Sequence, residues 1–352
     1  VEASFHPYTE FSYHLKTAQQ KVGVKMHRYV IKRLLFLIPT VLGVTFIIFF
    51  VMSITPGNPG RMILGPTALQ EDVDEMNHEL GYDQPLIIRY INYIKNAITE
   101  GDFGTSYATK RPVFEELWPR FLVTLRMALF VMLISVGIGV PIGIYSAVKQ
   151  YTLWDTIPTM IAFFLAAVPS FVVGMVLLLV FAMKLNWFPS YGLSSLKHYI
   201  LPILAASICE VSSYLRFTKS SMLEAIRQDY VRTARSKGNK ERVVIFKHAL
   251  KNALLPLITI TGMVFNALMG GAVVAETVYS IPGLGNMVLT AIKQKDIPLV
   301  VGGVFFLTVI FQVITLVIDL LYAAVDPRVR ASFASQGMRK RKRKVIHAGE
   351  EA

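Results

Sequence analysis

The sequence predicts an all-α integral membrane protein of about six transmembrane helices, with an external helical insertion between the first two and a polar cytoplasmic loop between the fourth and fifth. Three observations predict it. The chain is 53% hydrophobic and only 17% charged, with a mean hydropathy of +0.49, too apolar for an ordinary soluble globule. Apolar runs recur at the length a helix needs to cross hydrocarbon, about 20 residues, where only helices and closed barrels satisfy every backbone hydrogen bond. Lysine and arginine concentrate on alternate connections, as the positive-inside rule requires of a multi-span chain.

Residues 1–33 form the cytoplasmic N-terminal segment. Within it, 1–25 are polar and without period, and Met26-His27-Arg28-Tyr29 ahead of an apolar run reads as a natural start, so 1–25 are expected to be an extension. Neither this stretch nor the first span resembles a cleaved signal peptide, because no small-residue cleavage site follows and the apolar run is long enough to cross. Spans are expected at Leu34–Ile54, Phe121–Val148, Ile157–Met183, Tyr199–Phe217, Ala253–Ala275 and Leu299–Ala324. The fourth is interrupted by Glu210 and has Pro202 near its start.

Flanking charge orients these spans. Lys25, Arg28, Lys32 and Arg33 precede the first and put the N-terminus inside. Lys149 in the second connection, the basic run from Lys219 to Lys251 in the fourth, and Arg328, Arg330 and Arg339 to Lys344 in the tail 326–352 agree with that choice. The first connection instead carries Glu71, Asp72, Asp74, Glu75 and Glu79, as an external segment tolerates. Trp118, Trp154 and Trp187 all fall just beyond expected span ends, at the headgroup level an indole prefers. Both termini are therefore expected in the cytoplasm. A net charge of +13 raises nucleic acid as a partner, but the basic residues sit where a positive-inside flank near anionic lipid needs them, and no aromatic residues interleave with the basic tail. The single cysteine, Cys209, lies inside an apolar run, which excludes a disulfide framework and leaves no thiol or zinc cluster; no metal and no cofactor are expected.

The external segment, 55–120, is long enough for a small helical cap. Leu69, Val73, Met76 and Leu80 repeat at helical spacing after Thr67, an N-cap residue type, and Gly81 follows as a stop. Ile87, Tyr90, Ile91, Ile94 and Ile98 mark a second amphipathic helix closed by Gly101. Stripes at this spacing are expected to bury against each other or against the spans, with external docking as the alternative.

The loop 218–252 is too polar to enter lipid and reads as helix, a turn permitted by Gly238, then helix. Charge alone does not separate this reading from an ordinary solvated basic loop. The order of residue types does. Glu224, Ala225, Gly238 and Leu255-Pro256 resemble the Glu-Ala-Ala, Gly and apolar-Pro pattern in the cytoplasmic loop of permease subunits of binding-protein-dependent ABC importers, with Ile226 standing where the strict pattern has Ala. Four further matches are specific to the dipeptide and oligopeptide branch: Thr55-Pro56-Gly57-Asn58-Pro59, Gly81-Tyr82-Asp83-Gln84-Pro85-Leu86, Gly101-Asp102-Phe103-Gly104-Thr105-Ser106, and Glu276-Thr277-Val278-Tyr279-Ser280-Ile281-Pro282-Gly283-Leu284-Gly285, with Asp326-Pro327-Arg328 after the sixth span. Together they run in order from about Tyr29 to Arg330 and resemble the first permease of the usual pair.

The resemblance implies a permease core, 121–325, in the cell inner membrane, working with a second homologous permease, two ATP-binding cassette ATPases and an external solute-binding protein that delivers peptide. It also implies that loop 218–252 couples to an ATPase through Glu224, Ala225, Asp229, Tyr230, Arg232, Arg235 and Gly238, a stiff lever with polar contacts for a soluble partner. Nickel or glutathione-like solutes are the alternative cargoes. Gly137, Gly139, Pro141, Gly143, Pro169, Gly270, Gly271, Gly302 and Gly303 offer the close packing or kinks that alternating access uses, and equally serve simple helix packing.

Glu210 and Asp319 are costly inside hydrocarbon and must face protein, water or a partner. For Glu210 the readings are a lining of the translocation cavity, a structural hydrogen bond, or pairing with the second permease. Asp319, nearer the cytoplasmic end, is expected to cap or pair locally. Asn266 and Gln312 are lesser pathway candidates, since amides within spans often tie helices together. An enzyme is disfavoured: the sequence has no Gly-x-x-x-x-Gly-Lys-Ser/Thr cradle, no Gly-x-Ser-x-Gly and no His-Glu-x-x-His, so ATP hydrolysis is expected on partner chains. A gradient-driven secondary transporter is the rival of a different class, and it has no reason to own the lever loop.

Overall fold

The computed structural model describes residues 7–55 and 57–325. Residues 1–6, Pro56 and the tail 326–352 lie outside the described residues, and with them the Asp326-Pro327-Arg328 motif and the basic run of the tail. The described chain is helical throughout: α1 (Pro7–Ile54), α2 (Pro59–Leu64), α3 (Gln70–Glu79), α4 (Leu86–Thr99), α5 (Val113–Val148), α6 (Leu153–Ala167), α7 (Ser170–Leu177), α8 (Lys197–Ile226), α9 (Asp229–Ser236), α10 (Glu241–Val243), α11 (Leu250–Gly271), α12 (Val273–Val278), α13 (Leu284–Gln294) and α14 (Ile297–Val325). Wider π-helical turns extend α7 through Leu178–Lys184 and join α10 to α11 through Val244–Ala249. Five helical stretches are long and apolar enough to cross a membrane: Arg33–Ile54, Val113–Val148, Lys197–Ile226, Glu241–Val278 and Ile297–Leu321. A bent pair, Leu153–Ala167 with Ser170–Lys184, makes the sixth if counted as one span.

The chain forms two compact units. In the first, built from the described parts of Val1–Thr40 and Thr315–Ala352, Arg33 of α1 pairs with Asp319 of α14 at 2.8 Å, a partner distant in sequence where a local cap or pair was expected. The second, Val41–Ile314, holds everything described below. Its tightest joint is α5 against α8. Gly139 and Gly143, one helical turn apart, let the two backbones meet: a Cβ on Gly139 would lie 2.7 Å from Tyr214 Cβ, and one on Gly143 would lie 2.6 Å from Thr218 Cβ.

The segment between the first two spans is fixed by specific contacts. Asn58 caps α2 by accepting from Arg61 N at 3.1 Å, with Pro59 at the first helical position. Tyr90 on α4 donates to Leu42 O at 2.7 Å and lies 2.9 Å from Thr45 Oγ1, while its ring meets Phe46 and Phe49 edge-on. Asp296 is buried just before α14, where Oδ1 accepts from Leu299 N at 3.3 Å and Oδ2 from Ser106 Oγ at 2.5 Å. That cap pins the Gly101–Ser106 motif to the sixth span.

Five expectations need correction. The third span is not one helix: it breaks at Val168-Pro169 and the halves meet at 95°, because Pro169 has no N–H to give and forces Val168 out of the helical region to φ −90°, ψ 124°. The second span begins at Val113, not Phe121, since Val113, Glu116 and Leu117 are already buried. Much of the polar stretch 218–252 is helix continuous with the spans, as α8 runs on to Ile226 and helical structure resumes at Glu241. Thr67 does not cap α3; the N-cap position is Leu69, which makes no side-chain capping bond. On α4 the inward side is the buried Ala97 with the half-buried Tyr90, Tyr93 and Ile94, whereas Ile87, Ile91 and Ile98 of the expected stripe are exposed.

Candidate functional site

The last turn of α8 carries Glu224, which is exposed, and Ala225, which is buried. A two-residue joint leads into α9, whose Val231 and Ala234 sit three positions apart and therefore share one face. That face is fully buried against Met222, Val244, Ile245 and Ala249, on a base that includes Ile144 and Ala147 of α5. With the apolar side used up, Asp229, Tyr230, Arg232 and Arg235 are left on the exposed side. Partial burial raises the Tyr230 phenol above its ordinary value.

Gly238 closes the turn after α9 at φ +77°, a left-handed conformation that side chains resist, and its N–H donates to Arg235 O at 2.9 Å. Arg235 then grips Glu241 through Nε at 3.1 Å and Nη2 at 2.7 Å, so the end of α9 and the start of α10 are held as one knob. Hydrogen bonding to Glu241 holds the guanidinium above its ordinary pKa. Arg235 is thus engaged inside the loop, whereas Glu224, Asp229 and Arg232 present charge outward. The arrangement is a short helix seated on an apolar underside, able to transmit a push to α8 and α11.

The pathway candidates separate. Glu210, on α8, lines a cavity of about 250 Å³ whose walls are mostly apolar, among them Met127, Val131, Phe171, Ala206 and Leu268, with Ser170 and Tyr279 as the uncharged polar side chains. The helix break of the third span borders it, Ser170 and Phe171 following the kink at Pro169, and Ala272 and Val274 line it where α11 passes into α12. Asn266 and Gln312 do not line this cavity, and Asn266 Oδ1 is buried without a hydrogen-bond partner in the described structure. The three are not brought together.

Residues 139–331 match the family model described as binding-protein-dependent transport system inner membrane component, and residues 26–128 match the model of its N-terminal part. The chain belongs to this family. It is a multi-pass inner-membrane permease of the ABC transporter class, whose members work with ATPase and binding-protein partners. The glutathione transport system permease protein GsiC of Salmonella choleraesuis is 40% identical over 305 residues, 87% of this chain and 99% of that protein. GsiC of Escherichia coli K12 is 39% identical with the same coverage. The dipeptide transport system permease protein DppB of Alkalihalophilus pseudofirmus is 36% identical over 333 residues, 87% of this chain and all of that protein. Among solved structures, an inward-facing form of the MetNI methionine ABC transporter superposes with a TM-score of 0.52 at 18% identity, over 60% of this chain and 97% of that one, which is a likeness of fold.

The permease also holds functional-looking residues that sequence reasoning passed over. Glu276 is fully buried, accepting from Thr124 Oγ1 at 2.5 Å and Asn286 N at 2.8 Å, while Thr124 Oγ1 accepts from Leu284 N at 2.9 Å. A Cβ on Gly283 would fall 2.0 Å from the Glu276 carboxylate. The Glu276–Gly285 motif is therefore a staple that folds the chain back after the fifth span onto the second. Asp155, at the start of α6, is buried and paired with Lys219 of α8, which also donates to Thr159 at 3.1 Å. Glu276 opens the Glu276–Gly285 motif at the end of an apolar run, the one sequence signal that marks it; the partner of Asp155 lies too far away in sequence to be read.

Proposed function

We propose that this permease forms part of the translocation pathway of an ABC importer for di- or oligopeptides, fed by an external binding protein and driven by separate ATPase chains. The single observation that carries the reading is the α9 knob: a helix anchored by Val231 and Ala234, with Glu224, Asp229, Tyr230 and Arg232 turned outward. A gradient-driven carrier has no use for such a lever, and an ATPase cleft does.

In this reading Glu224, Ala225, Asp229, Tyr230, Arg232, Arg235 and Gly238 form the ATPase-coupling element. The outward residues contact the partner, and Ala225, Gly238 and the Arg235–Glu241 pair keep the element rigid. Both termini and this loop face the cytoplasm, with segment 55–120 outside and 121–325 as the core, as the distribution of Lys and Arg supports. The assembly contains a second homologous permease and two ATPases. Glu210 lines the pathway. Peptide is the proposed cargo because a dipeptide permease is among the relatives and the branch-specific motifs point the same way. A glutathione-like solute is the second reading, favoured by the GsiC relatives.

Uptake of labelled dipeptides, longer peptides, glutathione and nickel by cells with and without the gene tests this directly. Loss of peptide uptake on deletion, and in a Glu224 and Gly238 double variant that still reaches the membrane, supports both cargo and lever. Unchanged peptide uptake with loss of another solute overturns the cargo.

A further inference from the structure

Among the described residues, the buried carboxylates in and beside the spans have partners. Glu116 pairs with Arg120, Asp155 with Lys219, Asp319 with Arg33, and Glu276 is bonded to Thr124 and Asn286 N. Glu210 has no hydrogen bond and no ion pair among the described residues, although it stands in the middle of the fourth span. It is also the one carboxylate that lines this cavity, which borders the broken third span at Ser170 and Phe171. A charged group at that depth is costly unless something of opposite charge or water meets it, and sites where spans are discontinuous are where transporters hold their cargo.

The cavity lining supplies no cation and little polar surface. Ala128, Gly174, Ala205, Ala206 and Ala267 make its walls small and apolar, able to pass side chains of differing size, while a single negative charge fixes one feature of whatever enters. We propose that Glu210 receives the free ammonium group of the passing substrate, so that the permease itself selects for a primary amine after the binding protein has released its cargo. This rests on the peptide-import reading above and adds a charge requirement that reading does not contain.

The test uses the whole reconstituted transporter, with both permeases, the ATPases and the binding protein. Two readouts are taken: ATP-dependent uptake of a free-amine dipeptide, and, in the absence of binding protein, the alkylation rate of Cys209, which lines the same cavity and so reports its occupancy. Glu210→Gln is expected to lower uptake by roughly tenfold or more, the scale of one charged contact. Glu210→Asp is expected to retain most of it. In the wild type, millimolar free-amine dipeptide should slow Cys209 alkylation while its N-acetylated counterpart does not, and Glu210→Gln should abolish that difference. Equal protection by both peptides, or unchanged uptake in Glu210→Gln, overturns the ammonium site and leaves the importer reading intact. Loss of uptake together with loss of complex assembly in both Glu210→Gln and Glu210→Asp marks Glu210 as a contact to the second permease and equally overturns it. A wild-type complex that takes up no peptide at all fails the importer reading instead.

Discussion

Thr124 and Glu276, 152 residues apart in sequence, meet at 2.5 Å in the buried joint between the second span and the turn after the fifth. Each accepts a backbone N–H from the start of α13, Thr124 from Leu284 and Glu276 from Asn286, so two side chains add polar fixings to a segment whose Ile281, Leu284 and Met287 are buried in the core. Glu276→Ala takes the acceptor from Thr124 Oγ1 and Asn286 N and should cost about 1–3 kcal/mol of stability, read as a drop in unfolding midpoint in lipid nanodiscs. An unchanged midpoint would show that water replaces the carboxylate.

Gly283→Ala should act through the same staple. Its new Cβ would collide with Glu276 Oε1 at 2.0 Å, so the carboxylate must leave. The double variant with Glu276→Ala is expected to be less destabilised than the sum of the single changes, since neighbours sharing one partner are not additive. Simple additivity in a thermal-shift cycle would separate the two residues.

Gly238→Ala meets nothing within 4 Å, so its effect is conformational: a side chain held at φ +77° costs about 1–2 kcal/mol. Gly238→Asn, which tolerates the left-handed region, should lose less. The expected signature is weakened coupling, with ATP hydrolysed but less cargo moved per ATP, and Asn closer to wild type than Ala.

The Asp155–Lys219 pair joins α6 to α8, and its side chains are 8% and 20% exposed. Lys219→Met alone strands a buried carboxylate and is expected to cost about 3–5 kcal/mol, whereas Lys219→Met with Asp155→Asn should recover much of the loss. The Arg235–Glu241 pair is more exposed, and Arg235→Ala should shift stability by no more than about 1 kcal/mol. Unfolding midpoints of these variants check both statements.

The sequence carried the membrane class, the approximate spans and the helix–turn–helix shape of the 218–252 loop because hydropathy and the Gly238 turn are local signals. It did not carry the break at Val168-Pro169 as a 95° bend, since a proline within an apolar run is equally compatible with a mild kink. Nor did it carry the outward continuation of α8 and α11: polarity marks where a chain leaves lipid, not where its helix stops. On α4 the isoleucine period was visible but the buried side was set by Tyr90 reaching Leu42 O, a long-range bond that period cannot reveal. At the site, the exposure of Asp229 and Arg232 followed from amphipathicity. The engagement of Arg235 by Glu241 depended on the turn geometry at Gly238, and the isolation of Glu210 on packing between distant spans.

The central claim is that this permease moves peptide only when ATPase subunits act through the α9 knob. The most direct measurement is dipeptide uptake into proteoliposomes holding the full complex, with ATP supplied or withheld, for wild type and for Val231→Asp, which would unseat α9 from its buried base. The expected result is uptake that requires ATP in the wild type and is lost in Val231→Asp while the spans remain folded. Uptake that proceeds on an ion gradient without ATP, or that survives the loss of the α9 anchor, would contradict it.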